Sequence, residues 1–281
     1  MFKVIEGTGK RRWVAGDGSS TYYVGQLVSY IAASAAATNG TVVPLAVPSG
    51  AGDATNLQVV AGVVVGFNRR YPVSTTVGSV AGIPYDGGAL VTQAAQLAIE
   101  RFGQEGMYSK GDTQLLIQIE EIFPDSVISG PIYNAAYGTA PTVSTLTAVG
   151  ASPADGLVTA ATANAADAAS ILNMGTIYCR TGANAGLYRV NKNTTVTAPS
   201  VTTAFPYDEV VGDKFLCVPL KQGSSMVYIA GPGLYIDNSK VPTAAGTTLF
   251  NIFVDKLNLA VAGAERAEFR FGLDHFARLR A

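Results

Sequence analysis

The sequence predicts an all-β protein, a first β domain followed by a second β-rich domain. Three observations carry that expectation: short β-branched runs punctuated by turn residues, a second set of such runs after residue 175, and a charge-free segment between the two. The first set spans residues 23–66. There Tyr23-Val24-Gly25-Gln26-Leu27-Val28-Ser29-Tyr30, Thr41-Val42-Val43-Pro44-Leu45 and Gln58-Val59-Val60-Ala61-Gly62-Val63-Val64-Val65-Gly66 are separated by Asn39-Gly40 and Ser49-Gly50-Ala51-Gly52-Asp53. Val, Thr and Tyr fit a pleated, half-buried surface, while Gly and Asn take the positive φ of turns. Residues 59–65 are apolar on both faces apart from the glycine, which predicts a strand between two layers. Gly62 would let another backbone come close.

Ahead of that unit, residues 1–20 hold Lys3, Lys10, Arg11 and Arg12, the single tryptophan Trp13, and Gly-rich turns. They read as an N-terminal arm. Gly7-Thr8-Gly9-Lys10 has the outline of a phosphate loop, but Arg11-Arg12-Trp13 follows where a Walker motif needs Ser or Thr and a helix. After the opening unit, Asn68-Arg69-Arg70-Tyr71-Pro72 ends a strand and residues 84–88 read as a long turn, whereas residues 89–101 stay open between helix and strand. Residues 114–120 alternate, with Leu115, Ile117 and Ile119 on one face, and Lys110-Gly111-Asp112-Thr113 leads into them. The same lead-in recurs as Val211-Gly212-Asp213-Lys214 before residues 215–220 and, more weakly, as Val24-Gly25-Gln26 before Leu27.

Between Asp125 and Asp155 there is no charged residue. This Ala/Thr/Ser/Gly/Pro-rich segment has too few large apolar side chains for its own core and too little charge for a typical disordered tail. It reads as an extended crossing ordered on another subunit, with Tyr133, Tyr137 and Val143 as anchors. Residues 167–173, with Gly175 beyond, read as a short helix. Residues 176–180 and 187–190 then form a hairpin around the turn 181–186, residues 226–236 a strand pair around Gly231-Pro232-Gly233, and Glu268-Phe269-Arg270-Phe271 an alternating strand before a charged tail. The expected divisions are an arm at 1–20, a β domain at 21–125, a linker at 126–156, and a second β-rich domain with its C-terminal tail at 157–281.

Composition narrows the function classes. A chain of 281 residues would bury roughly 70–75% of its unfolded surface, so its core needs neither disulfides nor metal. Cys179 and Cys217 are expected as small buried residues on neighbouring strands, with pairing on oxidation as the other option. A net charge of −1 and a pI of 5.9 give no electrostatic reason for nucleic acid binding. The charged fraction is 14%, well under the typical value of about 25%, which predicts that other chains cover part of the surface. The longest apolar run falls far short of the ~20 residues of a membrane span, and the first six residues show no secretory h-region. The catalytic inventory is poor. His275, the single histidine, stands in the charged tail, and two distant cysteines supply no zinc spacing. Asp53, Asp86, Asp112 and Asp213 each adjoin a glycine and read as turn-capping residues, with convergence into a carboxylate pair or a Ca²⁺ site as the other option. Neither enzymatic activity nor a cofactor is expected.

The strands at residues 24–30, 41–45 and 61–66 resemble the pattern of tailed-phage head-decoration (cement) proteins, in which a Val-Gly-x-Leu-Val strand leads to an Ala-Gly-x-Val strand. Gly182-Ala183-Asn184-Ala185-Gly186-Leu187-Tyr188-Arg189-Val190, with Ala204-Phe205-Pro206 and Val211-Gly212-Asp213-Lys214-Phe215, is similar to a β module recurrent in phage virion proteins. The resemblance implies a β-roll or tulip-like decoration domain followed by the second β-rich domain. It also implies a non-enzymatic homotrimer seated on the major capsid protein lattice, on the exterior of a virion assembled in the host cytoplasm, without direct contact to nucleic acid or membrane. Lys10, Arg11, Arg12 and Trp13, the linker residues Tyr133 and Tyr137, and the tail residues Phe276, Arg278 and Arg280 are the candidate interface residues, because Arg and aromatic side chains dominate interface energetics. The alternatives are a receptor- or carbohydrate-binding tail protein and a head–tail or tail-tube subunit, since long β chains with Tyr-rich loops also suit sugars.

Overall fold

The computed structural model describes residues 1–15, 22–30, 42–44, 59–67, 79–80, 83–84, 116–133, 143–145, 175–190, 201, 203–218, 220–227, 229–230, 233–237 and 250–276. Among the described residues the regular elements are strands and one short 3-10 turn. In chain order the strands are β1 (Lys3–Glu6), β2 (Arg11–Ala15), β3 (Leu27–Tyr30), β4 (Val42–Pro44), β5 (Val59–Phe67), β6 (Ser79–Val80), β7 (Ile83–Pro84), β8 (Leu116–Glu121) and β9 (Val127–Tyr133). They continue as β10 (Val143–Thr145), β11 (Thr176–Cys179), β12 (Tyr188–Val190), β13 (Lys214–Val218), β14 (Gly223–Val227), β15 (Ile229–Ala230), β16 (Tyr235–Asp237), β17 (Phe250–Asn258) and β18 (Arg266–Phe271), before the 3-10 turn Leu273–His275. The all-β expectation holds. No helix among the described residues is long and apolar enough to cross a membrane.

The strands build a seven-stranded sheet in the order β14-β17-β18-β9-β16-β15, with β1 also on β9, and a five-stranded sheet in the order β2-β8-β5-β3-β4. A four-stranded sheet runs β10-β13-β11-β12, and β6-β7 form a small pair. Only β9 and β16 run parallel among these pairings. The largest core lies where the first two sheets meet: Phe2, Leu27, Val60, Val63 and Ile122 pack with Ile128, Phe250, Ile252, Val254 and Phe269. A second core on the far face of the five-stranded sheet joins Val14, Tyr22, Val28, Ala61, Val64, Ile117 and Ile119.

The strand β5 therefore lies between two layers, as its unbroken apolar run predicts. Val60 and Val63, three apart, face the same core because the pairing skips a residue: Ser29 opposes Val60 and Val28 opposes Gly62, leaving Ala61 as the extra residue of a bulge. A β-carbon on Gly62 would run into the Glu120 carbonyl oxygen. Glycine is needed there for the close approach of β8.

Three expectations are corrected. Residues 1–15 are not an arm, because β1 pairs with β9 and β2 with β8, burying Phe2 and Val14 in two different cores. Apolar residues at Phe2, Val4 and Val14 gave these strands a face to bury, although cations surround them. Residues 127–133, expected in the linker, form β9, which carries β18 along one edge and β1 and β16 along the other. Every side chain of β9 is buried or half-buried, which leaves no position for solvated charge and accounts for its neutral composition. Finally, residues 274–276 are not a solvated tail, since His275 and Phe276 are buried. Residues of both expected domains share the largest core, and the seven-stranded sheet joins β1 of the expected arm and β9 of the expected linker to strands of the second domain. The expected helix at 167–173 and the ambiguous segment 89–101 lie outside the described residues.

Candidate interaction surface

The strand β2 is held in register by Arg11 opposite Glu120, Arg12 opposite Ile119, Trp13 opposite Gln118 and Val14 opposite Ile117. Alternation sends Val14 into the second core. Arg12, on the same face, ends that core with its Nη1 donating to Glu121 Oε1 at 3.0 Å, a bond that raises the guanidinium pKa further. Arg11 and Trp13 take the other face, where Trp13 is 47% exposed. The preceding turn is pinned as well: Thr8 Oγ1 donates to Asp125 Oδ2 at 2.9 Å, and Glu121 N–H donates to the Lys10 carbonyl at 3.1 Å. Among the described residues β2 pairs with β8 alone, so it is an edge strand. Lys10, Arg11, Arg12 and Trp13 are thus all exposed on ordered backbone, Arg11 with Trp13 on one face of β2 and Arg12 on the other.

A second surface grows from the β11–β12 hairpin. Its turn uses Gly182 and Gly186 at positive φ, and a side chain on Gly182 would collide with the Asp213 carboxylate. Asn184 is buried in that turn. Its Nδ2 donates to the Tyr207 carbonyl at 2.8 Å and its Oδ1 accepts the Tyr207 N–H at 3.2 Å. Lys214 N–H donates to Thr181 Oγ1 at 2.7 Å, and Val210 N–H donates to Asp213 Oδ2 at 3.0 Å. Below, Ile177, Cys179, Val201, Phe205, Phe215 and Cys217 form a separate core, with the Arg189 guanidinium 5.2 Å from the Phe205 ring centre. The loop between Phe205 and Lys214 is hydrogen-bonded at Tyr207, Val210, Asp213 and Lys214 and still presents Tyr207 at 61% and Val211 at 62% exposure, with Val210 and Asp208 also exposed. Glu209 turns inward, and burial raises its pKa, with the charges of Asp208 and Asp213 adding to the effect.

The cysteines lie on neighbouring strands in this core, as expected. Cys179 opposes Phe215 and Cys217 opposes Ile177, so the two are diagonal neighbours, and neither is in a disulfide. Diagonal residues stand about 7–8 Å apart, beyond the usual Cα reach of a disulfide. Burial pushes the Cys179 thiol up to about 12, helped by Glu209 and Asp213, which keeps it protonated and a poor nucleophile.

The other expected interface residues fall elsewhere. Tyr133 is buried, its ring centre 5.2 Å from that of Tyr235, and burial raises its hydroxyl pKa. Phe276 is buried in the largest core. Next to it, His275 Nε2 accepts the Asn251 N–H at 2.9 Å, which locks the last turn onto β17. Tyr137, Arg278 and Arg280 lie outside the described residues. Tyr207, Val210 and Val211 carry no motif of their own. Their signal in the sequence is the placement of two consecutive valines directly before the Gly212-Asp213 turn, outside any strand.

Among the described residues no group of three or more His, Cys, Asp or Glu side chains is arranged to hold a metal ion. Comparison with protein-family models, curated proteins and solved structures gives no match. The two surfaces are consequently read from their own chemistry. Another exposed aromatic, Phe253, has a local explanation: Arg270, bonded to Asp255 through two nitrogens at 2.6 and 3.0 Å, lies 5.8 Å from its ring centre.

Proposed function

We propose that the chain is a non-enzymatic structural subunit of a phage-type particle, a capsid decoration (cement) protein that binds the major capsid lattice from outside as a homotrimer and stabilises the head. The observation that carries this reading is the display of large apolar side chains on hydrogen-bonded turns, in a chain whose charged fraction is only 14%. An exposed aromatic on fixed backbone loses little conformational freedom when a partner covers it, so more of the buried area becomes affinity. The sequence patterns at residues 24–30, 61–66 and 182–190 support the choice of a capsid lattice as that partner.

Seated across adjacent capsid subunits, such a protein ties them together. Each contact is modest, and the repetition of the lattice gives multivalent attachment a high effective concentration. The test is to add the purified protein to heads assembled without it. Saturable binding at a lattice-matched stoichiometry and a higher head disruption temperature are expected. Oligosaccharide binding without head binding would instead favour a carbohydrate-binding tail protein.

A further inference from the structure

We infer that His275 is an acid-sensitive latch: protonation of its imidazole releases the 3-10 turn Leu273–His275 from β17 and opens that end of the largest core. Asn251, the second residue of β17, is the other half of the latch. Three of its groups hold the segment that follows β18. Its N–H donates to His275 Nε2 at 2.9 Å, its carbonyl accepts the Gly272 N–H at 2.8 Å, and its Nδ2 donates to Asp274 Oδ2 at 2.7 Å. The latch is a property of the chain alone and does not depend on the capsid reading.

The imidazole stands in for a strand carbonyl. Ile252 and Phe271 are register partners at this end of β17 and β18, so Asn251 and Gly272 would form the next pair of the ladder. The Gly272 carbonyl instead accepts the His275 N–H at 3.1 Å, and Nε2 takes its place before the Asn251 N–H. Accepting that bond requires the lone pair of a neutral ring, with the proton on Nδ1. The His275 side chain is 1% exposed and lies beside the rings of Phe250 and Phe271, at centre distances of 5.2 and 5.8 Å. Phe276, the next residue, is buried in the same core as those two rings.

In the imidazolium both nitrogens are donors, so Nε2–H would face the Asn251 N–H, donor against donor, in a buried site. Among the described residues, β17 and β18 bring Phe250, Asn251 and Phe271 against the ring, and none of them is charged. Arg270 is on the outer face of β18, bonded to Asp255. The charged group beside the ring is Asp274 of its own turn, with Oδ2 3.8 Å from Nε2, beyond hydrogen-bond length. A protonated ring gains most by turning to that carboxylate, which breaks the bond from the Asn251 N–H and draws Asp274 away from the Asn251 amide. Two of the three ties then fail together. Because the latched state needs the neutral ring, the latch is complete at high pH and is lost as pH falls. An unperturbed imidazole changes charge near pH ~6.5, which puts the trigger in acid.

His275 is the single histidine, so its ring gives one set of NMR signals in the full chain. Ring shifts from pH 8 to 5 report protonation, and amide hydrogen exchange, converted to protection factors at each pH, reports the latch. Protection at Asn251, His275 and Phe276 should fall by about tenfold or more as the ring titrates, while β9 stays protected. His275→Gln keeps an acceptor that does not titrate and should hold its protection across the range. Asp274→Asn still accepts the Asn251 amide but offers the imidazolium no charge, and should move the transition to lower pH. A ring that stays neutral down to pH 5, protection that persists while the ring titrates, or a His275→Gln variant that loses protection in step with wild type would overturn the latch. Equal loss of protection in β9 would overturn it too, since acid would then be unfolding the chain as a whole.

Discussion

Asn184 holds Tyr207 by both of its backbone polar groups, donating to the carbonyl at 2.8 Å and accepting the N–H at 3.2 Å. The side-chain amide thereby imitates a neighbouring strand for one residue and fixes the exposed tip of the loop between Phe205 and Lys214. Asn184→Ala removes both part-buried hydrogen bonds, and should cost about 1–3 kcal/mol. Chemical denaturation measures the loss. Limited proteolysis should show new cleavage between residues 205 and 213, while a variant as stable and protease-resistant as wild type would show that the tip is held by something else.

Gly62→Ala places a methyl group against the Glu120 carbonyl in the middle of the five-stranded sheet. Overpacking of this kind costs about 1–3 kcal/mol, since β5 and β8 must separate. Val63→Asp should be worse. It sets a carboxylate in the main core without a partner, and loss of soluble folded protein is the expected result. Expression and equilibrium unfolding of both variants test the close approach and the two-layer burial of β5.

Arg180, at the end of β11, pairs with Glu265 just before β18, joining the four-stranded sheet to the seven-stranded one. Both side chains are buried or nearly so, and among the described residues Glu265 Oε2 has no hydrogen-bond partner. Removing one member strands the other charge, so Glu265→Gln or Arg180→Met should each cost about 3–5 kcal/mol. Replacing both with apolar residues of similar volume should recover most of it. Unfolding free energies for the single and double variants give the coupling directly, and additive losses would mean that the pair does not act as a unit.

Burial raises the Glu209 carboxyl above its ordinary value of 4.5. A folded pKa above the unfolded one means that folding favours the protonated acid. This contribution to stability is complete below pH 4.5 and is lost as pH rises through the folded pKa. Glu209→Gln should therefore be more stable than wild type at pH 7, with the difference shrinking as pH falls into the carboxylate range. Thermal melts of both proteins from pH 4 to 8 check it; a difference that is constant across pH would contradict the assignment.

The turns were the most legible part of the sequence. Val24-Gly25-Gln26 and Val211-Gly212-Asp213 share one lead-in pattern in the sequence, and the structure gives them one hydrogen-bond pattern: Tyr23 N–H donates to Gln26 Oε1 while Gln26 N–H donates to the Tyr23 carbonyl, and Val210 and Asp213 do the same. Phe123 and Ser126 repeat it before β9, with a hydroxyl as the acceptor and no glycine to announce it. Strand β17 is legible as an alternation: Phe250, Ile252 and Val254 are buried, while Asn251 and Phe253 between them are exposed. Other features depend on distant partners. Arg266 donates to the Met1 carbonyl and to Ser129, and nothing near residue 266 in the sequence indicates that β1 and β9 lie beside it. For the same reason the burial of Tyr133 and Phe276 was hidden, because an aromatic among small or polar residues looks alike at a surface and in a core.

A reconstruction of heads assembled without the protein and then saturated with it tests the capsid assignment most directly. The expected result is added density in threes on the lattice, with exposed residues of β2 and of the Tyr207 tip buried against neighbouring chains. Heads that remain bare at saturating protein, or carry single copies away from any symmetry axis, would contradict it.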